Sequence, residues 1–184
     1  RSQMLGEALR KGWSNQNHER QLEFDTWCRE QLWLDDHVTF MELRNQYQGV
    51  PWWEWPEEFA SYKEKELSLW RTKHQEKLLE HSLLQWHLDR QWQSLKTLAN
   101  QLGILLFGDI PFYVSRDSAD VWSNRSLFSI LPGGEIDIQS GVPPDYFSIT
   151  GQLWGTPVYQ WQRHLSTSFD WWRSRFSRQW HHVD

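Results

Sequence analysis

One cysteine, Cys28, stands among 184 residues, which excludes an intramolecular disulfide framework and a cysteine-based metal site. It falls in a helical pattern beside Trp27 and near Leu32, so a buried, inert thiol is expected rather than a nucleophile. No apolar run approaches the roughly 20 residues that span a bilayer, and no signal-peptide pattern opens the chain. An excess of positive charge is lacking too. Nineteen Lys and Arg face 24 Asp and Glu, and the net charge of -5 with interspersed signs gives neither nucleic acid nor an acidic membrane a reason to bind. There is no Gly-rich phosphate loop, no nucleophile elbow and no H-E-x-x-H. His74, His81 and His87 miss the i, i+4 spacing of a zinc helix, so neither a metal nor a cofactor is expected. The sequence fits a soluble cytoplasmic protein, and its first residue, Arg1 rather than Met, suggests a piece of something longer.

What the chain has in excess is tryptophan, 15 in all. Each carries a large apolar face and one N–H donor, so an excess means heavy packing or repeated stacking on flat ligands. Sugar rings present suitable C–H faces. Nucleobases do as well, but the charge argues against them. Most of these rings are expected to pack helices.

Leu5, Leu9 and Trp13 are spaced by four within 1–18, and a second helical pattern runs from His18 to Gln31. Asp35 and Asp36 are expected to cap a helix running toward Tyr47, ended by Gly49 and Pro51. Pro51-Trp52-Trp53-Glu54-Trp55-Pro56 cannot be helix interior and reads as a rigid aromatic knot, with a stacking platform as the alternative. From Phe59 to Leu102 the pattern predicts one long helix or two in succession. There Leu84, Leu88, Trp92, Leu95, Ala99 and Leu102 fall on one stripe, and Gly103 closes the helix.

Ile104-Leu105-Leu106-Phe107 then reads as a short parallel strand covered on both faces, ending at Gly108-Asp109. An acid at the C-terminal end of a buried strand is where (β/α) barrels place catalytic groups, although such an Asp also commonly caps a helix or ties down a loop. Asp117-Ser118 can cap a helical turn through Trp122. Leu127 to Ile138 predicts a hairpin about Pro132-Gly133-Gly134. Gly141 to Tyr159 combines turn residues with Tyr146, Phe147, Trp154 and Tyr159, which predicts an ordered loop displaying rings. Ser168-Phe169-Asp170 opens a last amphipathic helix through Trp180. The same region holds further acids, Asp117, Asp120, Asp137 and Asp145, but a retaining glycosidase pair needs two carboxylates about 5 Å apart, a distance sequence spacing cannot supply.

Two stretches resemble a known family. G-D-I-P-F-Y-V-x-x-D-S-A-D-V-W (Gly108–Trp122) and G-V-P-P-D-Y-F-S-x-T-G-Q-x-W-G-x-P-x-Y-x-W (Gly141–Trp161) are similar to the 4-alpha-glucanotransferases called amylomaltase or disproportionating enzyme. Upstream, Trp33–Asp36 and Pro51–Pro56 resemble that family's preceding helical segment. The resemblance implies an α/β fold: part of a (β/α)8 (TIM) barrel of the alpha-amylase type, with a helical insertion before the third barrel strand. It implies a helical insertion and barrel helix over 1–102, then a barrel strand, an active-site loop and a helix over 103–184, all within one incomplete catalytic domain.

The implied activity is transfer of alpha-1,4-glucan segments between maltooligosaccharides by a retaining double displacement. Asp109 then matches a supporting acid of the catalytic centre. Tyr146, Phe147 and Trp154 resemble sugar-contacting rings on a loop over the cleft, with Asp145 and Gln152 as the polar groups beside them. A lid of aromatics can hold an acceptor glucan and limit water, favouring transfer over hydrolysis. The family's nucleophile lies in an R-x-D-H pattern that this chain lacks, and Asp184, preceded by His182 and Val183, does not match it. A complete barrel needs roughly 250 residues, so an internal fragment without the nucleophile and acid/base, inactive by itself, is expected. The alternative from another class is a non-catalytic alpha-glucan-binding module.

Overall fold

The computed structural model describes residues 2–184; Arg1, at the head of the sequence, lies outside them. In chain order the elements are α1 (Ser2–Trp13), α2 (His18–Glu30), α3 (Leu34–Gln46), a 3-10 turn (Trp52–Glu54), α4 (Glu57–Ala60), α5 (Glu64–Lys73), α6 (Gln75–Gln101), α7 (Ala119–Ser123), a second 3-10 turn (Arg125–Leu127), β1 (Gln139–Val142), β2 (Gln152–Pro157), α8 (Trp161–Ser166) and α9 (Asp170–His182). They form two units. One runs to Val50 and again from Lys63 to Leu106, with Val183; the other holds Pro51–Tyr62 and Phe107–His182, with Asp184.

In the first unit α6 is the spine, 27 residues long and so about 40 Å at 1.5 Å per residue. Its N-terminal half is covered by α1, α2 and α3. Phe24, Leu83 and Trp86 form a buried core, with Leu9, Trp13, Trp27, Cys28 and Leu79 packed around it. Trp13, Phe24 and Trp86 meet edge to face at 4.9–5.6 Å, the arrangement that ring quadrupoles favour. Glu80 is buried on the same stretch of α6, where Arg10 (2.9 Å) and Lys77 (2.8 Å) meet its carboxylate. Burial, reinforced by the charges of Asp25 and Asp35, pushes the Cys28 thiol up to about 12. It is therefore a packing group and not a thiolate, as the helical setting predicts.

Several expectations change here. Helix α3 begins at Leu34 with Trp33 at the N-cap position, and Asp35 and Asp36 instead occupy the first turn, where their charge favours the positive end of the helix. The Phe59–Leu102 pattern is broken into the end of α4, then α5 and α6. Tyr62 takes φ 51° between α4 and α5, and His74 separates α5 from α6. The His74 ring stacks on Trp70 at 4.1 Å and its Nδ1–H donates to the Trp70 carbonyl at 2.7 Å. His81 pairs with Glu42 at 3.0 Å.

The predicted apolar stripe of α6 is buried at Ala99 but exposed at Leu88, Trp92, Leu95 and Leu102, because α6 buries Glu80, Leu83 and Trp86 instead. Ile104–Phe107 is not a strand. Ile104, Leu105 and Phe107 are exposed, and the only named strands among the described residues, β1 and β2, pair with each other. A parallel strand exists only through the ladders beside it. The described residues are therefore helices plus a two-stranded antiparallel ribbon, with no third barrel strand formed.

The second unit is organised by the aromatic knot, and packing decides its role. Trp52 and Trp55 are buried, and the Trp52 indole donates to the Arg116 carbonyl at 2.7 Å. Arg116 lies 3.5 Å over the Trp53 ring and donates from Nε to the Gly134 carbonyl at 2.7 Å. Trp122, fully buried, meets Trp55 and Tyr62 edge to face and donates to the Phe59 carbonyl at 2.9 Å. Ser118 caps α7 by accepting from the Val121 amide.

The predicted hairpin at 127–138 shrinks to its turn. Ile130 bridges Ile136, the Gly134 amide donates to Leu131, and Ile138 is exposed. Gly134 sits at φ +90°, and a Cβ there would lie 2.7 Å from Trp53 Cβ and 2.9 Å from Trp52 Cη2. Only glycine fits that approach.

Beside this lies a nest of Phe128, Tyr159, Trp161 and Trp171 around His164, which is fully buried. His164 Nε2–H donates to the Leu127 carbonyl at 3.1 Å. Desolvation holds the imidazole below its ordinary value, partly offset by that bond.

Two outcomes follow from this packing. Gly134→Ala is expected to lower stability by about 2–4 kcal/mol through strain and overpacking. Gly133→Ala, whose Cβ meets only the movable Glu135 side chain, is expected to cost under about 1 kcal/mol; urea unfolding of both variants checks the contrast. Because the folded His164 value lies below the unfolded value of about 6.5, the unfolded chain takes up the proton first. Its contribution is complete above about pH 6.5 and is lost as pH falls through the folded value. Urea midpoints measured from pH 7.5 down to 5 are expected to drop, with a shallower drop in His164→Asn.

Candidate functional site

The longer of the two sequence motifs folds as an antiparallel ribbon. Gln139 faces Pro157, Gly141 faces Leu153 and Val142 faces Gln152, with an irregularity between Gln139 and Gly141. Alternation along β2 puts Gln152, Trp154 and Thr156 on one face. That is why the Trp154 indole can donate to the Gln152 side-chain oxygen at 3.1 Å, and why Thr156 meets the Ser140 hydroxyl. The ribbon thus presents one ring and one amide together on a single face.

The nine residues 143–151 close the ribbon in an ordered loop. Asp145 organises it: its Oδ1 accepts from the amides of Phe147 (2.9 Å) and Ser148 (2.8 Å), while its own amide donates to the Ser148 carbonyl. Asp side chains favour such turns because they satisfy backbone donors locally. Ser148 Oγ donates to the Gly151 carbonyl at 2.7 Å. Gly151 takes φ +73°, and a Cβ there would lie 2.6 Å from the Val142 carbonyl oxygen, so the loop closes only on glycine.

With the backbone held, the side chains point outward. Tyr146 is 96% exposed, Phe147 88% and Ile149 90%, and the first two rings stand perpendicular at 5.6 Å. Large apolar rings at an ordered, exposed loop tip are a surface for a flat or C–H-rich ligand. Trp154, 47% exposed, adds a third.

Asp109 lies on another segment. It is exposed, and its carbonyl accepts from Gln179 Nε2 at 3.4 Å. The ribbon and the segment after Asp109 meet through two rings: Tyr113, which carries no separate expectation, and Tyr159, expected among the displayed rings but buried by the aromatic side chains packed around it. Tyr113, four residues past Asp109, approaches Trp154 at 6.0 Å and stacks on Tyr159 at 5.9 Å and 11°. The Tyr159 hydroxyl donates to the Phe112 carbonyl. Both tyrosines stand inside the two motifs, but their mutual contact spans 46 positions and leaves no local periodicity to read.

The structure therefore carries Asp145, Tyr146, Phe147, Gln152 and Trp154 on one hairpin, whereas Asp109 stands on a separate segment whose contact with the hairpin is made by Tyr113, four residues on. Among the described residues no three His, Cys, Asp or Glu side chains are set to hold a metal ion. No described helix is long and apolar enough to cross a membrane.

A family model described as 4-alpha-glucanotransferase matches residues 1–184. This chain belongs to the 4-alpha-glucanotransferase family. A 4-alpha-glucanotransferase of Synechocystis sp. is 40% identical over 186 residues, covering 100% of this chain and 37% of the relative. One from Thermus thermophilus is 39% identical over 150 residues, covering 82% and 30%. The chain thus spans about a third of the length of these relatives. Among solved structures, an amylomaltase from Streptococcus agalactiae in complex with acarbose matches with a TM-score of 0.79 and 34% identity, over 85% of this chain and 32% of that one. The fold of the described residues is accordingly similar to a portion of an amylomaltase.

If Asp145 is the organiser of this family's hairpin loop here, Asp145→Ala should loosen the loop without unfolding the chain. The loop is exposed and water replaces the lost acceptor, so the expected global cost is under about 1 kcal/mol. Hydrogen exchange at the Phe147 and Ser148 amides is expected to accelerate clearly, and unchanged exchange would show that Asp145 does not hold them.

Proposed function

We propose that this chain is part of a cytoplasmic 4-alpha-glucanotransferase that moves alpha-1,4-glucan segments between maltooligosaccharides by a retaining double displacement. The observation that carries the reading is the family match over the whole chain, joined to an ordered hairpin that exposes Tyr146, Phe147 and Trp154. In this reading the three rings stack on glucose units, with Gln152 and Asp145 beside them. The Gln152 side chain accepts from Trp154, leaving its amide N–H groups to meet sugar hydroxyls. Asp145 holds the loop through one carboxylate oxygen, Oδ1, and its other oxygen is the acceptor offered to substrate.

Asp109 acts as the supporting acid. The reacting pair, a nucleophilic carboxylate and an acid/base about 5 Å apart, belongs to the part of the relatives' length that this chain does not span. The barrel is part of the same proposal. Ile104–Phe107 would be its third strand, paired and covered by neighbouring strands, and the exposed apolar stripe of α6 would face the barrel. An aromatic lid over the covalent intermediate disfavours water as acceptor and favours a sugar hydroxyl.

The test is disproportionation of maltotriose. The full-length protein is expected to release glucose and longer oligosaccharides, and the isolated 184-residue chain is expected to release neither. Alanine at Trp154 is expected to raise KM for maltotriose by about tenfold, as losing one stacked ring costs about 1–2 kcal/mol. Asp109→Asn is expected to lower kcat with a smaller change in KM. Binding of maltooligosaccharides by the full-length protein without any transfer would favour the glucan-binding module instead.

A further inference from the structure

Tyr159 is 5% exposed, and its ring packs against Phe128, His164, Trp171 and Trp172. A buried ring that only filled space could as well be Phe. The hydroxyl, however, reaches back 47 residues to the Phe112 carbonyl, just after Pro111. Burial pushes that hydroxyl up to about 12, so it remains a neutral donor throughout the physiological range. The backbone of Tyr159 is fixed separately by its bridge to Phe128 at the end of the second 3-10 turn.

The consequence runs outward. With Phe112 tied to Tyr159, the next residue, Tyr113, lies parallel to the Tyr159 ring at 5.9 Å. On its other side Tyr113 meets Trp154 at 6.0 Å and 58°. Trp154 stands on an exposed two-stranded ribbon, and its contacts are the Gln152 side chain and the Tyr113 ring. Two-stranded ribbons twist and flex unless something packs against them. The Ser140 and Pro157 end of the ribbon is buried, and at Trp154 the packing ring is Tyr113.

We infer that Tyr159 and Tyr113 form a clasp that sets the position of the Trp154 ring, making both tyrosines positioning residues for glucan held on the hairpin. The inference rests on the proposed contact of Trp154 with substrate, and it adds what decides the place of that contact. The chain of contact is buried hydroxyl, tied backbone, stacked ring, displayed indole.

The experiment uses the full-length protein with maltotriose and reads KM and kcat separately. Tyr159→Phe removes one oxygen and keeps every ring contact, so folding is preserved. It is expected to raise KM by about two- to tenfold, the value of one hydrogen bond, with kcat changed less. Tyr113→Ala is expected to raise KM similarly, and Tyr113→Phe, which keeps the stacked ring, to restore most of the loss.

The decisive readout is the double variant. Tyr113→Ala combined with Trp154→Ala is expected to be no worse in KM than Trp154→Ala alone, since the clasp acts only through that indole. If Trp154→Ala raises KM but the two effects add, or if Tyr159→Phe leaves KM unchanged, the clasp is overturned and the glucan reading of Trp154 stands. If the wild-type protein transfers nothing, or Trp154→Ala leaves KM unchanged, the reading of Trp154 fails and the clasp with it. A tyrosine pair serving only to pack the core would lower the unfolding midpoint with KM unmoved, which also overturns the inference.

Discussion

A buried indole is costly unless its single N–H meets an acceptor, and with 15 tryptophans in the chain that demand shapes both units, although the buried Trp172 N–H meets none among the described residues. Trp52 reaches the Arg116 carbonyl, Trp122 the Phe59 carbonyl, Trp27 the Asp89 carboxylate and Trp70 the Gln46 amide oxygen. Each of these bonds crosses at least 24 positions of sequence, so each one fastens segments that the backbone alone would leave independent. In the second unit the two most buried of these indoles reach backbone carbonyls, Arg116 in a loop and Phe59 in α4. Loops there are held by side chains reaching into backbone, which is how so little regular structure supports an ordered hairpin.

The same logic explains the cations. Arg116 and Arg125 lie over Trp53 and Trp52 at 3.5 and 4.3 Å. Desolvation lowers both guanidinium values, yet neither leaves the charged state, since an arginine starts above about 12. A delocalised, weakly hydrated guanidinium loses less hydration on a ring face than an ammonium does. Arg116 then spends its Nε–H on Gly134, so the aromatic knot at 51–56 and the turn at 132–134 become one structure. The sequence pattern leaves packing and ligand stacking open for these tryptophans. Burial of Trp52 and Trp55 settles that choice, because a ring with both faces covered has none left to offer a ligand.

Legibility in the sequence tracks how local the controlling interaction is. Helices α1, α2 and α9 follow from apolar spacing, and Ser118 was readable as a cap because the bond it makes is three residues long. The ordered nature of residues 141–159 is readable from rings among turn residues, and the structure sets Asp145, Gln152 and Trp154 on one hairpin. What escaped was anything set by distant partners. The roles of Tyr113 and Tyr159 exist only in a contact between two motifs, and Asp145 works first as a backbone acceptor, which a substrate-centred reading overlooks.

The Ile104–Phe107 run marks a different limit. Apolar continuity records what a segment is selected to be surrounded by, and strand geometry appears only where neighbours supply a ladder. The run is exposed and irregular although its composition is that of a covered strand, and the Leu88–Leu102 stripe of α6 shows the same discord between pattern and exposure. The stripe and the run as far as Leu106 belong to the first unit and Phe107 to the second, whereas the hairpin, whose rings are also exposed, is internally tied by Asp145, Ser148 and Gly151. Exposure therefore carries opposite meanings along this chain. At 88–107 it falls on an apolar pattern outside the buried core, and at 145–154 on rings carried by a backbone that local hydrogen bonds hold.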